Sequence, residues 1–255
     1  MKLLKAMIIS FSIYSKIPVP QFEWKEEDME YMMCFFPWTG GVIGILFYGW
    51  ACLCQKYTVG NLCYALIAAA IPLIVSGGFH VDGYMDTMDA FHSYQSRERK
   101  LEILKDSHIG AFAAIMLVLY YMIDIAAISE LHTKKAVFAV AAVFFLSRCL
   151  SGIAVVTLQS AKKEGMLYTF ATGAQKMRVK IALYLQLVIC VGIMLAVAGW
   201  YGAIAALVSV FCFFWFKKKS YQELGGITGD TAGWFVTVCE AAAAAAAAIL
   251  GFFPV

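Results

Sequence analysis

The chain reads as an all-α, polytopic integral membrane protein of about seven transmembrane helices, with an N-terminal interfacial or re-entrant helix. Three observations predict this. Of 255 residues, 62% are hydrophobic and only 15% charged, where a soluble domain would be roughly half apolar. The apolar residues gather in runs near the length of about 20 that spans a bilayer. Lys and Arg fall mainly between alternate runs, as the positive-inside rule requires.

The elements follow in order. Met1 to Ile17 is apolar with Lys2, Lys5 and Lys16. Tyr14-Ser15-Lys16-Ile17-Pro18 supplies no small-residue cleavage site, so an interfacial or re-entrant helix is expected rather than a cleaved signal. A turn at Pro18 and Pro20 follows, and the acidic strip Glu23 to Glu30 reads as solvated surface. The expected spans are 35–54, 60–79, 109–130, 136–158, 179–199, 201–216 and 231–253. The sixth is short, and the turn before it, near Gly199 to Gly202, is tight. No linker divides the chain, which reads as one catalytic domain over 1–255.

With the N-terminus inside, segments 1–34, 80–108, 159–180 and 217–230 hold four, four, five and three basic residues. That is 16 against three outside, Lys56, Lys134 and Lys135, with Arg148 inside a span. The expected topology is a multi-pass protein of the cell membrane, inner or plasma, with an outside C-terminus. A net charge of +3 gives no reason to expect nucleic acid. The eight cysteines are scattered without a C-x-x-C pair and read as small buried hydrophobes. Ala241 to Ala248 reads as a close-packing helix face.

Chemistry concentrates at Gly77 to Asp89, G-G-F-H-V-D-G-Y-M-D-T-M-D. Asp82, Asp86 and Asp89 are spaced by four and three, which places them on one helix face. Unpaired, they repel; Mg²⁺ prefers such oxygen ligands and bridges them to substrate phosphates. Two more polar segments fall on the same expected side, Ile103 to Gly110 and Gly225-Gly226-Ile227-Thr228-Gly229-Asp230. Asp106 and Asp230 could be helix caps or members of one composite site. Glycines at a helix start let backbone N–H groups approach phosphate. Inside spans lie Asp124, Arg148 and Glu240, which are costly in lipid. Arg148 is near enough to the inner end to face substrate; Asp124 and Glu240 read as structural.

With these residues in view, the chain resembles the cobalamin synthase (adenosylcobinamide-GDP ribazoletransferase) family. Gly77 to Asp89 matches the pattern G-G-x-H-x-D-G-x-x-D-x-x-D, Lys105 to Gly110 its (K/R)-D-S-x-(I/L)-G block, and Gly225 to Asp230 its G-G-x-T-G-D block. Ile17 to Pro20 and Phe36 to Gly44 resemble two earlier blocks. Ala90 stands where the family usually carries Gly, and His108 where it often carries Arg.

The resemblance implies an enzyme that joins adenosylcobinamide-GDP to α-ribazole or its 5′-phosphate and releases GMP, with Mg²⁺ as cofactor and the site facing the cytoplasm. His80, Asp82, Asp86 and Asp89 would be catalytic, His80 either assisting proton transfer or orienting a ligand carboxylate. Asp82, Asp86, Asp89, Asp106 and Asp230 would hold metal. Gly77, Gly78, Lys105, Asp106, Ser107, Arg148, Gly225, Gly226, Thr228 and Asp230 would bind substrate. Oligomeric state is left open, a homo-oligomer included. Two rivals are another Mg-dependent intramembrane phosphotransferase or prenyltransferase, and a transporter. The CDP-alcohol enzymes carry D-G-x-x-A-R, whereas Asp82-Gly83 here leads to Asp86 and Thr87. A transporter would gather polar groups near the midplane.

Overall fold

The computed structural model describes residues 2–162, 167 and 175–253. Ten α-helices are present among them: α1 (Lys2–Tyr14), α2 (Phe36–Tyr57), α3 (Asn61–Ser76), α4 (Phe79–His92), α5 (Arg97–Ile103), α6 (Ala111–Ser129), α7 (Lys134–Thr157), α8 (Lys176–Ala198), α9 (Trp200–Leu224) and α10 (Gly229–Gly251). Six of them, α2 and α6 to α10, are long and apolar enough to cross a membrane; the bent pair α3–α4 makes seven if taken as one span. That agrees with the expected count.

The bundle is organised around α7, which is almost entirely buried. Small residues let α2 reach it. A Cβ at Gly40 would lie 2.0 Å from the Phe144 carbonyl oxygen, and one at Gly44 2.3 Å from that of Ala141. Close backbone approach of this kind is how helices associate in lipid, where apolar burial drives little. The alanine run serves the same purpose: Ala241, Ala243, Ala244, Ala247 and Ala248 are buried on α10. Outward faces carry Ile45, Val188, Leu207 and Phe211, all exposed as lipid-facing residues should be. All eight cysteines are free, and five are buried.

Two boundaries differ from expectation. The sixth span does not stop at 216; α9 continues through Lys217 to Leu224 as a polar extension, because Lys, Gln and Glu are good helix formers once clear of lipid. Its extension is tied to α5 by a Lys100–Glu223 ion pair and within itself by Lys219–Glu223 at 2.6 Å. The second span ends at Ser76. Gly77 and Gly78 have φ of +65° and +85°, a left-handed pair that only glycine adopts readily. The chain turns there by 95° into α4.

The bend places α4 across the end of the bundle, over the first turns of α6 and α10. Gly83 lies against the Asp230 backbone and Gly233 against that of His80. The Tyr84 hydroxyl donates to the Met116 carbonyl at 3.0 Å. The Phe91 and Trp234 rings are 5.5 Å apart. At this same end α1 packs through Tyr14 on Phe36, with centroids 4.3 Å apart. Leu3 and Leu4 remain exposed, as an interfacial helix requires.

Candidate active site

The carboxylates of α4 face the start of α10. Asp82, Asp86 and Asp89 share one side of α4, and the Gly83 contact brings Asp230 to them. Burial raises the Asp86 pKa to about 6, and the neighbouring charges of Asp82, Asp230 and Asp89 add to it, while Lys162 opposes. Asp230 is also raised, chiefly by burial, with Lys162 and a hydrogen bond from Thr228 acting the other way. Four carboxylates from two helices therefore form one under-compensated negative centre.

Its members are not equivalent. Asp89 accepts hydrogen bonds from the Gly110 N–H at 2.6 Å and the Ala113 N–H at 2.8 Å. It caps α6, satisfying donors that a helix start leaves unpaired. Asp82, Asp86 and Asp230 make no such bonds to a neighbouring helix among the described residues; Asp230 accepts only locally, from the Thr228 hydroxyl at 3.4 Å. The Thr228 hydroxyl accepts from the Thr231 N–H at 3.1 Å, and the Thr231 hydroxyl from the Thr228 N–H at 2.9 Å. This reciprocal cap fixes the first turn of α10, and with it Asp230.

Asp106 does not join the cluster. It is half exposed and accepts from the backbone N–H of His108 at 3.0 Å, with its ring Nδ1 at 2.6 Å. Those contacts hold its pKa below the usual carboxylate range. Lys105 and Ser107 are exposed beside it, and at the end of this segment the Gly110 N–H donates to Asp89 on the carboxylate helix. Asp106 stays apart for a local reason: two residues after it, His108 offers a nearer partner than the cluster.

His80 also stands elsewhere. At about 3.6 residues per turn it falls on the opposite side of α4 from the three carboxylates. It is buried at 5% exposure among Tyr14, Phe36 and Phe79. Burial and the nearby Arg148 charge hold its pKa well below the usual value. Both ring nitrogens lack a partner among the described residues. It lines a small cavity with Gly229 and Gly233, apart from the face that carries the three carboxylates.

Arg148 does not face the site. Its Nη1 lies 2.6 Å from Glu240 Oε1 and donates to the Phe144 carbonyl at 2.8 Å, and Ser147 donates to Glu240 at 2.9 Å. The guanidinium is 1% exposed. A charge inside a bundle must be paired, and this pair joins α7 to α10.

The glycines of the late block have packing roles. Gly225 closes α9 at φ +72°, and a Cβ there would meet the Arg97 guanidinium at 2.0 Å. Gly226 fits against the Gln159–Ala161 backbone, where Ala161 N–H donates to the Ile227 carbonyl at 2.8 Å and Ile227 N–H to that of Gln159 at 2.9 Å. This short bridge brings Lys162 toward Asp86 and Asp230. Lys162 is absent from the sequence-predicted set, because its segment's basic residues are accounted for by topology. Gly77 and Gly78 make the bend and line a cavity with Asp82.

Oxygen-rich, negatively charged and at a bundle end, the donor set suits a hard divalent cation. Among the described residues no three acidic, His or Cys side chains already converge as a metal cage. Mg²⁺ rarely uses such a cage; it takes one or two carboxylates and fills its shell with water and substrate phosphate.

No solved structure is similar to this chain. A family model described as cobalamin-5-phosphate synthase matches residues 6–248. An adenosylcobinamide-GDP ribazoletransferase of Lachnoclostridium phytofermentans is 44% identical over 98% of this chain and 95% of its own. Proteins of the same description from Clostridium perfringens and Clostridium botulinum are 31% and 30% identical over 92% and 93% of this chain, and 94% of their own. With four carboxylates gathered at one end of the bundle and the likeness running almost end to end, the chain belongs to the cobalamin-5-phosphate synthase family.

Proposed function

We propose that the protein joins adenosylcobinamide-GDP to α-ribazole or its 5′-phosphate, forming adenosylcobalamin or its phosphate and releasing GMP. The observation that carries this is the meeting of Asp82 and Asp86 on α4 with Asp230 on α10, in a chain of this family. The acceptor hydroxyl attacks the phosphorus next to cobinamide, the bond to the GMP phosphate breaks, and the hydroxyl proton leaves to solvent or a carboxylate.

Asp82, Asp86 and Asp230 would hold Mg²⁺. When bound, it supplies charge neutralisation for the diphosphate and the transition state. Asp89 positions the start of α6, and Lys162, near Asp86 and Asp230, would meet phosphate oxygens. The site faces the cytoplasm of a cell membrane, as the 16 to 3 distribution of basic residues supports. A cysteine probe at position 133 should then react from outside intact cells and one at 95 should not; the reverse pattern overturns this orientation.

The transporter reading loses Arg148 and Glu240, which are buried against each other as an ion pair. The direct test is GMP release from adenosylcobinamide-GDP by protein in liposomes, with and without acceptor and Mg²⁺. Wild type should release GMP only with both. Asp82→Asn, Asp86→Asn and Asp230→Asn should each remove most turnover while remaining folded. Wild-type turnover in any two of them defeats the assignment.

A further inference from the structure

The early Ile17 to Pro20 turn has no part in the site so far, yet it places a charge beside it. Between α1, the α3–α4 corner and α6 lies a cavity of about 580 Å³, lined by Lys16, Gly77, Gly78, Asp82, Met85 and Leu117 among others. Lys16 is held there from two sides. Its backbone N–H donates to the Val75 carbonyl at 2.8 Å, and its methylene stem lies over Gly77, where a Cβ would come within 2.4 Å of it. Pro18 follows two residues later and stiffens the exit. No hydrogen-bonding or carboxylate partner of the Lys16 ammonium is present among the described residues.

One cavity thus has an unengaged ammonium on one wall and a carboxylate of the proposed cation site on another. A phosphorylated ligand whose reacting hydroxyl lies near the cation and whose phosphate lies apart from it matches that polarity. The apolar walls offered by Met85 and Leu117 suit an aromatic base. The volume is in the ordinary range for a small ligand and is too small for a corrinoid with its side chains. Both phosphates of the donor belong at the reaction centre, so the phosphate left to be recognised is that of the acceptor.

We infer that Lys16 is a specificity-determining residue that binds the 5′-phosphate of α-ribazole 5′-phosphate in this cavity. The inference rests on the proposed transferase reading. Lys16→Met keeps the stem over Gly77 and removes the charge; Lys16→Arg keeps the charge. With saturating donor and Mg²⁺, Lys16→Met should raise the KM for α-ribazole 5′-phosphate by about 10- to 100-fold, the range for one hydrogen bond to a charged group. Its kcat and its KM for unphosphorylated α-ribazole should stay near wild type, and Lys16→Arg should recover most of the loss.

Equal changes for both acceptors, or none, overturn the inference. A rise in the KM for adenosylcobinamide-GDP instead assigns Lys16 to the donor and overturns it too. Equilibrium dialysis of α-ribazole 5′-phosphate against wild type and Lys16→Met reads the contrast without turnover. Failure of wild type to release GMP therefore counts against the transferase reading, whereas equal affinity of the two proteins, or no binding by either, counts against Lys16.

Discussion

Gly83→Ala tests whether the separation of α4 and α10 sets the site. The added Cβ would lie 2.8 Å from the Asp230 carbonyl oxygen and 3.0 Å from its Cα. Ordinary contact begins near 3.4 Å, so the helices must part by about 0.6 Å, the difference from 2.8 Å, because backbone in a packed interior yields little. Overpacking costs about 1–3 kcal/mol, and alanine in a helix interior recovers about 0.5–1 kcal/mol relative to glycine. The net loss is then about 1 kcal/mol, small enough to leave the protein folded. Turnover is far more sensitive, since a displacement of 1 Å costs on the order of 100-fold; tenfold or more is expected. Gly229→Ala is the control, as nothing lies within 4 Å of its Cβ position. The assay is GMP release per folded molecule, with thermal unfolding of the same samples. Wild-type turnover in Gly83→Ala, or an equal loss in Gly229→Ala, would refute the reasoning.

Two further outcomes are expected. Asp86 carries a pKa raised from 3.8 to about 6, so its charged form is penalised in the folded state. With chelator present, that penalty grows as pH rises from 3.8 through about 6 and is full above. Thermal stability should fall across this window in wild type, lose that slope in Asp86→Asn, and be restored above pH 6 by Mg²⁺; equal slopes in both proteins contradict the origin assigned to the shift. Arg148→Met or Glu240→Gln should each cost about 3–5 kcal/mol by leaving one buried charge unpaired, with turnover per folded molecule retained. Unchanged stability with lost turnover in Arg148→Met would return that residue to the substrate.

Much of this protein is written locally in its chain. Membrane-length apolar runs predict the crossings, because lipid leaves a helix as the only way to satisfy a lone segment's backbone. The four-and-three spacing puts Asp82, Asp86 and Asp89 on one face by helical geometry alone. The same arithmetic puts His80 on the other side, so its separation from the carboxylates needed no tertiary contact to be legible. The pair Gly77-Gly78 marks a break, though not its 95° angle. Only the tertiary structure decided which carboxylate does what. Asp89 became a cap because α6 begins beside it, and Asp230 joined the cluster because Gly83 lets α10 approach α4. Arg148 turned inward because Glu240, 92 residues away in sequence, offers its charge there. Lys16 is held beside the site by its backbone bond to Val75, and Lys162 is brought near it by the bonds of the preceding Gln159 and Ala161 to Ile227. Such meetings depend on how distant segments pack, and a periodicity of 3.6 residues carries no record of them.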